Sequence, residues 1–339
     1  MALSSSSQSN PIEQAVILAG GKGTRLLPLT ETTPKPMISF HGRPFLEYLL
    51  EMLAEQGIRR VLILLGYLAD HVVAHFGNGA QFGLEIEYSI TDVENDTGLR
   101  VMHARDRIDD EFLLMYCDNY WPLQLEQLTQ MWRTQGTSAQ VVVYSNEDGY
   151  TKDNLIVDEN GILTAYDKSR TLSGLAGVDI GFLLLKKEVL SLLPAQKNFS
   201  LEAELYPKLI RDRNLTGFLT HHRYYSVGDH RRLLLTETFL KRRPTCIVER
   251  WHSDFVSLAS DYDVILIEET AEDLPERAEM FCVEQIVARE AFPHRADLLS
   301  HLQRLFHLDL TRTAAVLESS QLREHALLHG MNLLSHETV

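Results

Sequence analysis

Cysteine is scarce in this chain: Cys117, Cys246 and Cys282 are the only three in 339 residues. Their wide spacing forms neither a disulfide framework nor a zinc pattern. Long apolar runs are missing too. No stretch reaches the roughly 18 uninterrupted apolar residues of a membrane span, so no transmembrane helix is expected. Basic residues are outnumbered, 32 Lys+Arg against 47 Asp+Glu, which gives a formal net charge of −15. Sequence-independent binding of DNA or RNA needs a basic surface, so this chain is a poor candidate for it and no nucleic-acid partner is expected. An anionic substrate would need a local basic site or a metal ion to offset this field. The opening run MALSSSSQSN has no basic n-region and no apolar h-region. It reads as a flexible Ser-rich tail, not a leader, and the cytosol is the default compartment.

What is present is ordinary for a globular protein: 45% hydrophobic and 23% charged residues. At about 150 residues per domain the length suggests two domains. Apolar runs at Ala15–Ala19, Val61–Leu65, Phe112–Tyr116 and Gln140–Tyr144 read as buried strands. Helical patterns at Pro44–Gln56, Leu68–Phe76 and Leu123–Gln135 alternate with them, which predicts an α/β layered domain with helices on both faces. From Leu155 the pattern turns to shorter strands. Leu155–Asp158 and Leu163–Asp167 flank the hairpin turn Glu159-Asn160-Gly161. Val178–Leu185 is a further strand, Leu201–Asp212 is helical, and Arg231–Arg242 leads to Pro244. After Pro244 the alternation restarts, with strands at Thr245–Val248, Val264–Ile267, Met280–Val283 and Thr313–Leu317. Helices are expected at Arg295–Phe306 and Gln321–His329. The expected organisation is a tail over 1–12, a first domain over 13–242 and a second over 243–339.

The chemistry concentrates in Leu18–Met37, LAGGKGTRLLPLTETTPKPM. Glycines directly after a strand let backbone N–H groups approach a phosphate chain, because no Cβ blocks the way. An ordinary glycine turn is the alternative. The run has no Gly-Lys-Ser/Thr ending, and the dinucleotide fingerprint would need glycine at Leu26.

Leu18–Leu26, Pro28-Leu-Thr30 and Pro34-Lys35-Pro36 together resemble the signature of the sugar-1-phosphate nucleotidylyltransferases. The resemblance continues through Gly42–Tyr48, Gly57–Arg60 and Gly66-Tyr67, and covers about Ile12 to Phe239. It is strongest toward heptose-1-phosphate guanylyltransferases and their mannose- and glucose-1-phosphate relatives. It implies a Rossmann-like (GT-A-like) three-layer α/β domain with a mixed sheet. It also implies a reaction in which a nucleoside triphosphate (NTP) and a sugar 1-phosphate give an NDP-sugar and pyrophosphate. The partners are then those two small molecules, with neither nucleic acid nor membrane.

Site roles follow from the same resemblance. Arg25 would clamp the β- and γ-phosphates, and Lys35 would meet the α-phosphate. The segment Leu18, Ala19, Gly20, Gly21, Gly23 and Thr24 would hold the nucleotide. Mg²⁺ is the implied cofactor, with Asp118 and the less closely matching Asp229 as its carboxylates; each reads otherwise as a turn or helix cap. On the sugar side Lys168, Asp179 and Glu202 stand in segments similar to the family's. Their plain readings are a surface lysine, an edge-strand aspartate and a helix N-terminal glutamate. Gly98 falls where relatives carry Gly-Thr-Gly-Gly, with Asp96 and Leu99 replacing small residues. That departure bears on substrate identity. It motivates an alternative, a non-catalytic sugar-nucleotide-binding regulatory protein.

The C-terminal segment faintly resembles a small haloacid dehalogenase-like α/β domain. Glu249 stands at the nucleophile position, Trp251 at the acid/base position, and Leu317-Glu318 and Leu322 in the metal loop and helix. The residues that phosphoryl transfer needs are gone. The unit is expected to be inactive and kept for packing, for regulation or for pairing two copies of the chain.

Overall fold

The computed structural model describes residues 11–240 except 147, 148, 196 and 221. Beyond these it describes 245–249, 262–268, 285–288, 298, 299, 302, 308, 313–328 and 330–334. The chain divides into two compact units, Met1–Glu237 and Thr238–Val339.

The first unit is built on a seven-stranded mixed sheet. Its strands are β1 (Gln14–Ala19), β2 (Arg60–Leu65), β3 (Glu85–Ile90), β4 (Glu111–Tyr116), β5 (Ala139–Tyr144), β6 (Val178–Lys186) and β7 (Leu215–Thr220). Their order across the sheet is β7-β5-β6-β4-β1-β2-β3. β1 and β5 are buried along their whole length. That fits apolar runs without alternation, because helices cover both faces of such a sheet. Helix α1 (Phe45–Glu55) buries Phe45, Leu49 and Leu53, and α4 (Leu125–Gln135) buries Leu128 and Trp132. On another part of the sheet, α3 (Thr97–Ala104) and α5 (Leu201–Arg211) pack Val101, Met102, Leu205 and Leu209 into one core with Val16, Leu62 and Leu114. Burying each such side chain is worth roughly 1.5–3 kcal/mol. Two more helices, α2 (Ala69–Phe76) and α6 (His230–Leu240), complete the set. The division between the units falls inside α6, whereas the sequence pattern suggests a boundary after it.

Two topological features position the site. From β1 the chain runs outward to β2 and β3, then returns to β4 on the other side of β1, with β1 parallel to both β2 and β4. Strand order reverses there, and a crevice opens beyond the carboxyl ends of β1 and β4. The ladder continues one step past its last pair, since Cys117 donates its N–H to the Leu18 carbonyl at 3.1 Å. The glycine loop and Asp118 are thereby neighbours. Second, β6 is antiparallel to both β4 and β5, while β7 is parallel to β5. The start of β6 therefore lies at the edge where the parallel strands end. A bulge between Asp179 and Leu183 re-aims that start. It needs Gly181, whose φ is +78° and whose Cβ would lie 2.8 Å from the Tyr116 ring.

Several expectations shift. Thr97–Ala104 is a helix that the sequence pattern does not announce. Ile12 is already buried, so the described core begins inside the expected 1–12 tail; residues 1–10 lie outside the described residues. The expected turn at 159–161 does join an antiparallel pair, Leu155–Val157 with Leu163–Tyr166. Among the described residues, no helix is long and apolar enough to cross a membrane.

The second unit holds a parallel five-stranded sheet. Its strands are β8 (Thr245–Glu249), β9 (Asp263–Glu268), β10 (Gln285–Ala288), β11 (Ala314–Val316) and β12 (Asn332–Leu333). The order is β10-β9-β8-β11-β12, with helix α7 at Ser320–Leu328. The strand expected at 280–283 and most of the helix expected over 295–306 lie outside the described residues.

Candidate active site

A cleft of about 290 Å³ opens at the crevice between β1 and β4. Leu18 and Ala19 at the end of β1 form its floor, and Gly20, Gly21, Gly23, Thr24 and Arg25 follow in the glycine loop. Gly23 takes φ +66°, and a single 3-10 turn, Thr24–Leu26, places Arg25. Thr30 fastens the loop by donating its hydroxyl to the Gly23 carbonyl at 3.0 Å. Arg25 is exposed and, among the described residues, has no carboxylate partner. Lys35 and Asp118 line the same cleft. They form an ion pair, Nζ to Oδ2 2.5 Å, with side chains 12% and 23% exposed. The neighbouring Cys117 is no nucleophile, since burial pushes its thiol up to about 12.

Asp229 reaches this neighbourhood from the far end of the unit. Strand Tyr225–Ser226 pairs antiparallel with Asn119–Tyr120, and Val227 donates its N–H to the Asp118 carbonyl at 2.8 Å. Gly228 then lines the cleft. Asp229 itself caps α6, its Oδ1 accepting the Arg232 N–H at 3.0 Å. Both carboxylates offer the hard oxygen donors that Mg²⁺ takes. Among the described residues, no three His, Cys, Asp or Glu side chains are grouped to hold a metal by themselves.

The other predicted residues form a second cluster joined to the cleft by Tyr116. That cleft-lining tyrosine donates its hydroxyl to Oε1 of Glu202. Ser200 donates to Oε2 of the same carboxylate at 2.7 Å. Lys168 Nζ lies 3.2 Å from Ser200 Oγ and 3.9 Å from Glu202 Oε2. Burial raises the Glu202 carboxyl to about 7. Asp179 is held by the Tyr206 hydroxyl at 2.8 Å and the Gly181 N–H at 2.8 Å, and burial raises its carboxyl as well. Asp167 has a local task. It accepts the Ser169 hydroxyl and N–H bonds from Ser169, Thr171 and Leu172, which fold the turn that carries Lys168; the hydroxyl first, then the N–H groups, hold its carboxyl well below the usual range. Gly98 does not line the cleft. It packs against Phe199, whose ring would lie 2.1 Å from an added Cβ.

Sequence reasoning misses Arg100, Tyr116, Ser200 and Tyr206. Arg100 carries a readable signal, a cation on the otherwise apolar buried face formed with Val101 and Ala104. The other three connect only through the fold.

Residues 14–153 match the family model described as nucleotidyl transferase. They form a nucleotidyl transferase domain. This domain is homologous to sugar-1-phosphate nucleotidylyltransferases. A UTP–glucose-1-phosphate uridylyltransferase of Synechocystis is 30% identical over 213 residues, covering 58% of this chain and 55% of that protein. A D-glycero-alpha-D-manno-heptose 1-phosphate guanylyltransferase of Campylobacter jejuni is 27% identical over 199 residues, covering 58% of this chain and 87% of that protein. The chain thus spans about half the length of the uridylyltransferase. The fold agrees: HddC from Yersinia pseudotuberculosis superposes with a TM-score of 0.58 at 24% identity, over 68% of this chain and 100% of that one. The nucleotidyl transferase domain contains the glycine loop, Arg25, Lys35 and Asp118. The matched segment ends before Lys168, Asp179, Glu202 and Asp229.

In the second unit, Glu249 is buried at the end of β8. Its Oε2 accepts the N–H groups of Glu318 and Ser319 at 2.8 and 2.7 Å, just before α7. Leu317 and Leu322 are core residues. Trp251 lies outside the described residues.

Proposed function

We propose that the chain transfers a nucleotidyl group from an NTP to a sugar 1-phosphate, releasing pyrophosphate. GTP with a heptose or mannose-type 1-phosphate is the pairing put forward. One observation carries the reading: Arg25, Lys35 and Asp118 meet the glycine loop on a single cleft at the strand-order reversal.

A phosphate oxygen of the sugar 1-phosphate forms a bond to the α-phosphorus. The bond from that phosphorus to the bridging oxygen breaks, and pyrophosphate leaves with its electron pair. No covalent enzyme intermediate is needed. The protein's task is alignment and charge neutralisation. The loop N–H groups hold the nucleotide, Arg25, without a carboxylate partner among the described residues, takes the β- and γ-phosphates, and Lys35 stands at the α-phosphate. Lys168 takes the phosphate of the acceptor, with Asp179 and Glu202 on its hydroxyls. Asp118 and Asp229 would hold a divalent cation, Mg²⁺ in this reading, which neutralises phosphate charge when bound.

The reaction is assigned to the cytosol. The second unit is read as a haloacid dehalogenase-like remnant without phosphatase chemistry, serving packing, pairing of copies or regulation. Glu249 supports this, because its carboxylate is committed to two backbone N–H groups.

The test is a matrix of common NTPs against several sugar 1-phosphates, read by pyrophosphate release, with Asp118→Ala beside the wild type. Release by the wild type, abolished in a folded variant, is expected. Unchanged release in Asp118→Ala would refute the assignment. NDP-sugar binding without any pyrophosphate release would favour the regulatory alternative.

A further inference from the structure

Arg100 has no part in the reaction as written, yet it lines the cleft while only 3% exposed. Four of its N–H groups are spent on three chain segments. Nη1 donates to the Leu65 carbonyl at 2.7 Å and to Thr91 Oγ1 at 2.6 Å. Nη2 donates to the Gly20 carbonyl at 3.3 Å and the Val93 carbonyl at 3.1 Å. The side chain thus braces the end of β2 and the loops that follow β1 and β3. Among the described residues, no carboxylate pairs with it. A guanidinium keeps its proton in a protein, so its charge stands in the cleft floor, with Asp92 and Asp96 near it but not hydrogen-bonded to it among the described residues.

The backbone is shaped around this side chain. A Cβ at Gly20 would lie 2.3 Å from Arg100 Cζ, and one at Gly66 would lie 2.5 Å from Nη1. The guanidinium fits only because both positions are glycine. Its grip on Gly20 has a further effect. The Gly20 carbonyl and the Gly21 N–H belong to one planar trans peptide and point in opposite directions. Holding the carbonyl therefore fixes the direction of the Gly21 N–H. The Tyr67 N–H, 3.1 Å from the same carbonyl, shares the task.

We infer that Arg100 is a positioning residue of the nucleotide site. It sets the glycine loop for a nucleoside triphosphate and adds a fixed positive charge beneath that anion. The inference rests on the reading that this cleft takes the triphosphate. It implies that Arg100 acts on the nucleotide and not on the sugar.

The experiment compares full-length Arg100→Met and Arg100→Lys with the wild type. Arg100→Met is expected to raise KM for the NTP about tenfold, the equivalent of one lost charge-assisted contact. KM for the sugar 1-phosphate should stay unchanged. Arg100→Lys, which keeps the charge but not the fork, should fall between. Equilibrium binding of the NTP alone should shift in the same way, and that arm needs no turnover. A second arm places Gly66→Ala in the wild type and in Arg100→Ala, which removes the guanidinium that a Cβ at this position would meet. Alone it should lower the melting temperature, and beside Arg100→Ala it should cost nothing further. Should Arg100→Met not fold, Arg100→Lys carries the comparison. Unchanged NTP affinity in a folded variant would overturn the inference, as would equal shifts in both KM values. Failure of the function itself reads differently, as no pyrophosphate from the wild type while NTP binding remains measurable.

Discussion

Lys35 and Asp118 meet across 83 positions of sequence, Nζ to Oδ2 2.5 Å apart, on the wall of the cleft. Each is mostly shielded from solvent, so each keeps the other's charge compensated. Asp118→Asn should lower pyrophosphate release by roughly 10²-fold or more, the usual scale for one group that stabilises charge at a reacting centre. Lys35→Met should do likewise. Initial rates at saturating substrates measure this, with circular dichroism confirming the fold. A loss under threefold in both variants would sink the roles assigned to the pair.

Glu202 gives the site a pH signature. Its ordinary value is near 4.5, and burial raises it to about 7. Between those values the folded chain holds a proton that the unfolded chain has released. Its contribution to stability is therefore full below about 4.5 and is lost as pH rises through about 7. Glu202→Gln removes the titration. The stability of the wild type relative to this variant should fall by roughly 3 kcal/mol between pH 4 and 8. Urea unfolding at a series of pH values reads the difference, and parallel curves would contradict it.

Gly98 tests the joint between the cleft loop and the segment before α5. Its N–H donates to the Phe199 carbonyl at 3.0 Å, and Leu201 donates its N–H to Thr97 Oγ1 at 2.9 Å. Gly98→Ala forces a methyl into the Phe199 ring. The expected cost is about 1–3 kcal/mol, typical of overpacking. A denaturant midpoint equal to that of the wild type would disprove the packing role.

In the second unit, Glu249→Ala removes an acceptor from two N–H groups. A loss of about 1–3 kcal/mol is expected in that unit. Amide exchange should quicken across Ala314–Leu328 and stay unchanged across β1 and β4. Faster exchange in both places would argue against a local role.

How far the site is legible depends on distance along the chain. The glycine loop, Arg25 and Lys35 sit within one short segment, and their motif can be read directly. Asp118 is legible because it ends an apolar strand. Helix α3 is hidden because Gly98 lies in its first turn and Arg100 occupies its buried face, both of which weaken a helical pattern. The joining of Tyr116 to Glu202 depends on β6 running antiparallel and on the bulge at Gly181, neither of which composition reveals. The division between the units falls within α6, where only Thr236 is buried. A helix with so little buried face leaves no sharp pattern to mark a boundary.

The antiparallel course of β6 separates two tasks along the chain. The glycine loop, Arg25, Lys35 and Asp118, proposed for the nucleotide, lie before residue 153, where the family match ends, and only Asp229 joins them from later in the chain. The residues proposed for the sugar, Lys168, Asp179 and Glu202, arrive later, and the reversed strand carries Asp179 back to the same sheet edge. In the proposed roles, acceptor choice would be carried on a separate stretch of sequence. Grafting the counterpart of residues 154–212 from a relative with another sugar would exchange the acceptor while leaving the phosphate-handling half as it stands.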